Sequence, residues 1–418
     1  MGSDGVRKAI EAIWRIESAR IVGALVRMVR DVGAAEDMAQ EALVTAMERW
    51  PEAGIPDNPG AWLLATARNR AIDELRRRGL RERKQGAMAD AEPAVFEEDL
   101  ASRIDEDVGD DRLRLIFVAC HPVLSKDARV ALTLRLVGGL STAEIARAFL
   151  APEPTIAQRI VRAKRTLAEA RVPFEVPTGP DRAERLASVL EVIYLVFNEG
   201  YTATEGDDWM RPELCGDALR LGRILAALVP DDPEVLGLVA LMELHASRAR
   251  ARVGPRGEPI LLLDQDRSRW DHLLIRRGLA ALDRAEALGG SLGPYALQAA
   301  IGACHARARS ADQTDWARIV ALYDGLVELT GSPVVELNRA VAVSMAFGPA
   351  AGLELLEPLA SEPSMQRYHL LPSVRGDLLM KLGRFEEARA ELERAAFLAS
   401  NAKERALLLA RAKACRGP

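Results

Sequence analysis

Cysteine is scarce in this chain, and no two cysteines lie close in sequence. Cys120, Cys215, Cys304 and Cys415 stand far apart and form no CxxC pair, which argues against a disulfide framework or a thiolate zinc cage. Aromatic residues are only 5% of the 418. β-branched runs are also rare, so strands have little to build on. No uninterrupted apolar run reaches membrane length, and the N-terminus has no basic stretch followed by an apolar one. The expected setting is the cytoplasm, with no membrane partner. The five histidines are scattered, and no HExxH, GxSxG or phosphate-loop pattern occurs. An enzyme is therefore not expected, nor are catalytic residues, a metal site or a cofactor. The net charge of -5 speaks against a protein that coats nucleic acid evenly, although the distribution of charge matters more than its sum.

Ala, Leu and Arg recur throughout. These residues lose little on entering a helix, so the expected fold class is all-α. The length suggests two to four domains. One helical block is expected over 7–50 and a second over 59–84. Between them, residues 51–60 carry three prolines and two glycines and read as a loop. Residues 68–84 hold eight basic and three acidic side chains, whereas 97–111 hold eight acidic ones and a single Arg. That reversal reads as a solvated linker or a mobile arm, with the linker bounded at 86–111, and the acidic stretch 97–111 is expected to fold over the basic surfaces. A further helical unit spans 112–172 and ends at the Pro/Gly-rich stretch 172–180. From 181 to 418 amphipathic helices follow one another. Gly376, Gly383, Phe385, Ala388, Leu392 and Ala395 fit a tetratricopeptide hairpin starting near His369, and Gly348 lies 35 residues before Gly383.

Two segments carry recognisable chemistry. Ser141 followed by Glu144 is a capping box opening one short helix. Thr155 with Gln158 gives a second capping pattern, and Ile156, Ile160, Ala163 and Leu167 supply an apolar stripe behind it. The other face presents Gln158, Arg159, Arg162, Arg165 and Thr166. Two short helices with a basic second member read as a helix-turn-helix, whose arginines suit guanine edges and phosphates. The plainer alternative is a helical hairpin with a solvated basic face, in which Gln158 only caps. Upstream, Trp62, Thr66, Asn69, Asp73 and Arg76 form a polar-aromatic stripe beside an apolar one of Leu64, Ala67, Ala71 and Leu75. An exposed ring among arginines suits single-stranded DNA. The alternative makes Trp62 a core residue.

Together these segments resemble the extracytoplasmic-function sigma factors of bacterial RNA polymerase. Glu36, Asp37, Gln40 and Glu41 match the Glu-Asp-x-x-Gln-Glu signature of region 2.1–2.2. Pro59-Gly60-Ala61-Trp62-Leu63 through Arg76-Arg77 resembles regions 2.3–2.4, and 128–167 resembles region 4. The resemblance implies a region 2 domain over 1–85, a region 4 domain over 112–172, and no bond-making by the chain itself. It implies that Asp37, Gln40 and Glu41 dock on the polymerase clamp, with the flap as a second polymerase contact. Asn58, Trp62, Thr66, Arg68, Asn69, Arg70, Asp73, Arg76 and Arg77 would melt and hold the −10 element. Thr155, Gln158, Arg159, Arg162, Lys164 and Arg165 would read the −35 element of promoter DNA. The turn departs from the usual pattern, with Leu150 where glycine is common and Pro152 and Pro154 after it.

The remainder resembles the subgroup of these factors with a tetratricopeptide-like C-terminal extension. The resemblance rests on Leu195-Val196-Phe197-Asn198-Glu199-Gly200-Tyr201, Gln265-Asp266-Arg267-Ser268-Arg269-Trp270 and Glu336-Leu337-Asn338-Arg339, among other segments. It implies a regulatory domain. Asn198, Glu199, Tyr201, Gln265, Asp266, Arg267, Trp270, Asn338 and Arg339, with Tyr295 and Gln298, are candidates for one concave surface. Such a surface would take a peptide, a small molecule or a protein partner. Buried hydrogen-bond networks or helix caps are the competing account. Two other readings of the whole chain stay open: a helix-turn-helix regulator that never touches polymerase, and a repeat-built interaction scaffold.

Overall fold

The structure, a computed structural model, describes residues 3–84, 108–149, 151–203, 209–255 and 257–415. It divides into two compact units, residues 1–195 and 196–418. Among the described residues there is no strand, only an isolated bridge between Val253 and Pro259. No described helix is long and apolar enough to cross a membrane.

The first unit opens with α1 (Ser3–Val29), α2 (Val32–Ala53) and α3 (Pro59–Lys84). The single block expected over 7–50 breaks at Arg30, whose φ of 54° is left-handed. Asp31 then caps α2, its carboxylate accepting from the Ala34 N–H at 2.7 Å. α2 buries Ala35, Ala39, Ala42 and Ala46, a stripe of small side chains that lets α1 and α3 approach closely, and it ends on the buried Trp50. The helix runs on to Ala53, so the expected loop shrinks to 54–58. On α3 the buried stripe is Gly60, Leu63, Ala67 and Ala71. The expected stripe holds at Ala67 and Ala71 but not at its ends, since Leu64 is half-buried and Leu75 is 37% exposed.

Four helices follow: α4 (Val108–Ala119), α5 (Lys126–Leu136), α6 (Thr142–Ala148) and α7 (Glu153–Glu169). Most of the expected acidic linker lies outside the described residues. Its last residue, Asp111, is not solvated but buried in α4, where it accepts from Arg114 at 2.9 Å and faces Arg27 at 3.4 Å. The capping box of α6 is present, with the Ser141 hydroxyl on the Glu144 N–H and the Glu144 carboxylate on the Ser141 N–H. α7 starts two residues before the expected cap at Thr155, with Pro154 in its first turn, where no N–H is missed. Leu150, in the unusual turn, lies outside the described residues.

α8 (Pro180–Tyr201) is shared between the units. Its first half packs on α4, α5 and the turn between them. Ser188 donates to the Cys120 carbonyl at 2.6 Å, Arg185 donates to the Phe117 carbonyl at 2.9 Å, and Glu191 pairs with Arg129 at 3.3 Å and with Lys126 at 2.5 Å. The expected domain start at 181 therefore falls inside the first unit. Cys120 lies in the same contact, and burial pushes its thiol up to about 11.

The second unit stacks α9 (Pro212–Leu228), α10 (Pro233–Ala246), α11 (His272–Ala287), α12 (Pro294–Arg307), α13 (Trp316–Thr330), α14 (Pro333–Phe347), α15 (Pro349–Ala360), α16 (Leu370–Lys381), α17 (Phe385–Leu398) and α18 (Ala402–Ala414). Most of these helices pack on their neighbours in sequence, and α12 packs more on α10 than on α11, as helical-repeat proteins pack repeat on repeat. The hairpin expected from His369 is α16–α17. Gly383 turns it with a φ of 74°, and Ala388, Leu392 and Ala395 are fully buried against α16 and α18.

At the crossing of that hairpin, a Cβ on Gly376 would stand 2.8 Å from Leu392 Cγ. Gly376→Ala is expected to cost about 1–3 kcal/mol by overpacking, and Leu392→Ala about 2–5 kcal/mol by leaving a cavity. Because the new methyl meets the very side chain that the second change removes, the double variant is expected to lose less than the sum. Urea unfolding of the four proteins measures this coupling, and strict additivity would contradict the crossing.

Candidate nucleic-acid interface

The apolar stripe of α7, Ile156, Ile160, Ala163 and Leu167, is buried, which sets the opposite face outward. Thr155, Gln158, Arg162 and Arg165 are exposed there. Since α7 begins at Glu153, Gln158 lies beyond the capping position, which frees its amide from that role. Arg159 is half-buried and pairs with Asp127 at 3.3 Å, and Arg165 donates to Glu169 at 2.6 Å. Lys164 points elsewhere: its ammonium sits on the Glu36 carboxylate of α2.

On α3, Asn58 is a helix cap, its side chain accepting from the Ala61 N–H at 3.0 Å. Trp62 is half-buried, its ring edge-on to Trp50 with centroids 5.3 Å apart. It is thus neither a free stacking platform nor a core residue. Asn69, Asp73, Arg76 and Arg77 are exposed, while Thr66 and Arg68 are half-buried. The Thr66 hydroxyl donates to the Trp62 carbonyl at 2.8 Å. Arg70 joins two of the expected surfaces, since it pairs with Glu41 and donates to the Thr45 hydroxyl at 3.0 Å. Asp37 and Glu41 are exposed and Gln40 is half-buried on α2. The described side chains of this block end at Arg77.

Glu36, the first residue of the acidic signature, is buried at 3% exposure rather than presented on the surface. Its carboxylate accepts from Arg135 Nε at 2.5 Å and meets Lys164. Sequence reasoning missed this, although Glu36 adjoins the Ala35–Ala39–Ala42–Ala46 stripe that marks the buried face. The same two layers are joined by Arg15 with Glu144 and by Arg112, which donates to the Ile16 carbonyl at 3.2 Å. A cleft of about 860 Å³ remains beside this seam, lined by Arg27, Arg30, Asp31, Lys164, Arg171 and Phe174 among others. Partial burial would raise the Glu144 carboxyl, but the hydrogen bonds from Ser141 and the Arg15 guanidinium outweigh it and hold the group below its ordinary value.

In the second unit the candidate residues separate. Glu199 pairs with Arg211. Gln265 is buried and donates to the Ile260 carbonyl at 3.2 Å. Asp266 accepts from the Ser268 N–H at 3.0 Å and hydroxyl at 2.7 Å. Gln298 donates to the Pro294 carbonyl at 3.1 Å. The backbone N–H of Tyr295 donates to Glu234 at 2.9 Å. Asn338 is exposed, and Arg339 pairs with Asp324 at 2.6 Å and Glu336 at 2.8 Å. Asn198 is half-buried. Most of these are caps and local networks, not one concave surface.

Tyr201, Arg267 and Trp270 do come together, through residues not anticipated from sequence. Trp209, Arg252, Tyr201, Arg248, Trp270 and Arg267 alternate ring and guanidinium. Arg252 lies 5.6 Å from the Trp209 centroid and 3.5 Å from that of Tyr201. Arg248 lies 5.9 Å from both Tyr201 and Trp270, and Arg267 lies 4.9 Å from Trp270. The only trace of this in the sequence is the Arg248-Ala249-Arg250-Ala251-Arg252 run. Nearby, burial and then the Arg248 and Arg252 charges hold His245 well below its ordinary value. Burial, Arg248 and Arg267 bring His305 down to about 4, so both rings are neutral at neutral pH.

Comparison with known proteins agrees with this geometry. Residues 14–81 match the family described as Sigma-70 region 2, and 114–167 match Sigma-70, region 4. Residues 185–286 match a family of unknown function, DUF6596. An uncharacterized protein of Rhizobium meliloti (strain 1021) is 46% identical over 388 residues, covering 93% of this chain and 91% of that protein. The ECF RNA polymerase sigma factor SigK of Mycobacterium ulcerans (strain Agy99) is 31% identical over 170 residues, 39% of this chain and 86% of its own. The RNA polymerase sigma-H factor of Pseudomonas aeruginosa (strain PAO1) is 33% identical over 175 residues, 41% of this chain and 90% of its own. Helices α1–α7 therefore define a two-region sigma-type initiation factor with a helical extension behind it. The chain belongs to the extracytoplasmic-function family of RNA polymerase sigma factors.

Two outcomes follow from the seam. Glu36→Ala strands Arg135 and Lys164 and is expected to cost about 3–5 kcal/mol in denaturant unfolding, as removal of one partner from a buried ion pair does. The Glu144 carboxyl is depressed on folding, so its contribution is present at neutral pH and fades as pH falls through its folded value, below the ordinary value of about 4.3. Glu144→Gln keeps a capping side chain but loses the Arg15 charge pair. It is expected to be less stable at neutral pH and less sensitive to acid, and an unchanged acid profile would contradict the role of that pair.

Proposed function

We propose that this sigma factor brings core RNA polymerase to promoters by reading a −35 element with the exposed face of α7 and a melted −10 strand with α3. The observation that carries this is the outward face of Thr155, Gln158 and Arg162 on a helix whose other side is fully committed to the core. Arg159, Arg165 and Lys164 join that face after exchanging Asp127, Glu169 and Glu36 for phosphate. Arg70 does the same by leaving Glu41, and this couples polymerase contact at Asp37, Gln40 and Glu41 to a cation freed for the non-template strand. Trp62, Thr66, Arg68, Asn69, Asp73, Arg76 and Arg77 complete that surface, with Asn58 holding the start of α3. The Glu36–Arg135–Lys164 seam keeps the two readers together in the free factor and opens on polymerase. The factor acts in the cytoplasm, and its helical C-terminal domain sets its activity.

Run-off transcription tests this reading. The protein is mixed with bacterial core polymerase and a template carrying the gene's own upstream region, beside a form ending after Leu195, which retains the half of α8 that covers region 4. A specific transcript is expected, and the difference between the two forms reports the sign of control by the C-terminal domain. Arg162→Ala is expected to weaken promoter binding by about 1–3 kcal/mol, with the loss concentrated at one −35 position. No transcript together with no binding to core polymerase would refute the reading in favour of a regulator or scaffold.

A further inference from the structure

The ladder of rings and guanidinium groups in the second unit is not used by promoter reading. Its three arginines find only neutral oxygens and rings among the described residues. Arg248 donates to the Tyr201 hydroxyl at 2.8 Å. Arg252, at 8% exposure, donates to the Tyr201 carbonyl and, at 3.0 Å, to the Thr202 hydroxyl. Arg267 donates to the His305 and Ala308 carbonyls at 2.7 and 2.6 Å and to the Thr314 hydroxyl at 3.2 Å. Elsewhere in this unit Arg211, Arg223, Arg339 and Arg411 each hold a carboxylate. Nearby carboxylates are turned to other work: Asp266 caps its own turn, Asp271 caps α11, and Glu243 holds Arg223 and Arg277. Asp312, at an exposed position, acts on Arg267 through its charge and forms no ion pair with it within 4 Å.

Cations so gathered repel one another, and rings offset this only in part. The surroundings also keep polar atoms in reserve. Trp270 Nε1, His305 Nδ1 and Gln265 Oε1 are buried without a hydrogen-bond partner. A guanidinium has five N–H donors, and Arg248 spends one of them. Arg248 and Arg267 are half-buried, so a solute reaches them, while Arg252 behind is shielded from competing water.

We propose that this ladder binds an anionic small molecule through its carboxylate or phosphate group, with Arg248 as the chief contact and Arg252 and Arg267 as flanking charges. The Tyr201 and Trp270 rings orient the anion and exclude bulky hydrated ions. A paired oxyanion accepts two parallel N–H bonds from one guanidinium, which a halide does not reproduce. The ligand thereby supplies the input to the C-terminal domain, yet the site stands or falls apart from the transcription reading, because its test contains no polymerase or DNA.

The test is thermal unfolding and calorimetric titration of the full chain with inorganic phosphate and with citrate, each against sodium chloride at matched ionic strength. Wild type is expected to gain a saturable upward shift in Tm with one or both oxyanions and none with chloride. Stronger response to citrate assigns a carboxylate ligand, and stronger response to phosphate assigns a phosphorylated one. Arg248→Gln is expected to raise the dissociation constant at least about tenfold, the loss of one charge-assisted contact. Arg339→Gln, outside the ladder, should leave it unchanged. Tyr201→Phe removes a hydroxyl but no charge and guards against a folding defect, since it should retain binding within about threefold. Absence of any oxyanion-specific shift in wild type, or an equal shift in Arg248→Gln that folds normally, overturns the proposal and makes the ladder a structural brace.

Discussion

A carboxylate taken out of water must meet a cation, and Glu36 is the carboxylate on which the first unit depends. It sits beside the small-residue stripe of α2, where water cannot reach it. Arg135 from α5 and Lys164 from α7 must therefore come to the same place. That requirement draws both elements of region 4 onto region 2, and the shorter-range contacts follow. Arg15 reaches Glu144 of the capping box, Arg112 reaches the end of a turn in α1, and Asp111 settles between Arg27 and Arg114. Apolar burial supplies most of the cohesion. The ion pairs decide which faces meet, because a rotated docking would leave Glu36 charged, buried and alone.

Much of this fold was legible in the sequence, for local reasons. Capping residues, apolar periodicity and turn chemistry act within a few positions, so Ser141 with Glu144 and the Ile156–Ile160–Ala163–Leu167 stripe could be read directly. The misreadings have local causes too. On α3 the buried face takes in Gly60 and Leu63 rather than Leu64 and Leu75, and a Cβ on Gly60 would stand 2.7 Å from the Glu17 carboxyl carbon. α7 begins earlier than its capping pattern because proline is tolerated in a first turn. What local pattern cannot carry is partner choice across the chain. Glu36 meets Arg135, 99 residues away, and Arg267 meets the carbonyl of His305, 38 residues away. A single chain offers no periodicity for such pairs, so a surface acid was expected where a buried one lies. One concave surface was likewise expected where the structure has caps, local networks and a ladder.

The two units handle charge in opposite ways. In the first, cations of the expected DNA-binding faces are held by carboxylates of the same unit: Arg159 by Asp127, Arg165 by Glu169 and Arg70 by Glu41. Such pairs suit a surface meant to meet phosphate later. An exposed pair contributes little to stability, so exchanging its acid for a backbone phosphate costs little. The neutral residues at the start of α7, Thr155 and Gln158, have no such partner to give up. They are the ones whose chemistry distinguishes bases rather than phosphates. On the proposed reading, the pairing at Arg159 and Arg165 would separate a switchable electrostatic term from the base-reading term on α7.

In the second unit the ladder has no comparable acids among the described residues, and its cations are partly or wholly buried. Exchange of partners is not available there. Either the rings and carbonyls bear the whole cost of three adjacent charges, or an anion from solution completes the cluster. His245 and His305 stay neutral beside the ladder, first because burial disfavours their charged form and then because the neighbouring arginines do. A purely structural brace would be served as well by one arginine between two rings, whereas three gather positive charge that the proposed anionic ligand would relieve.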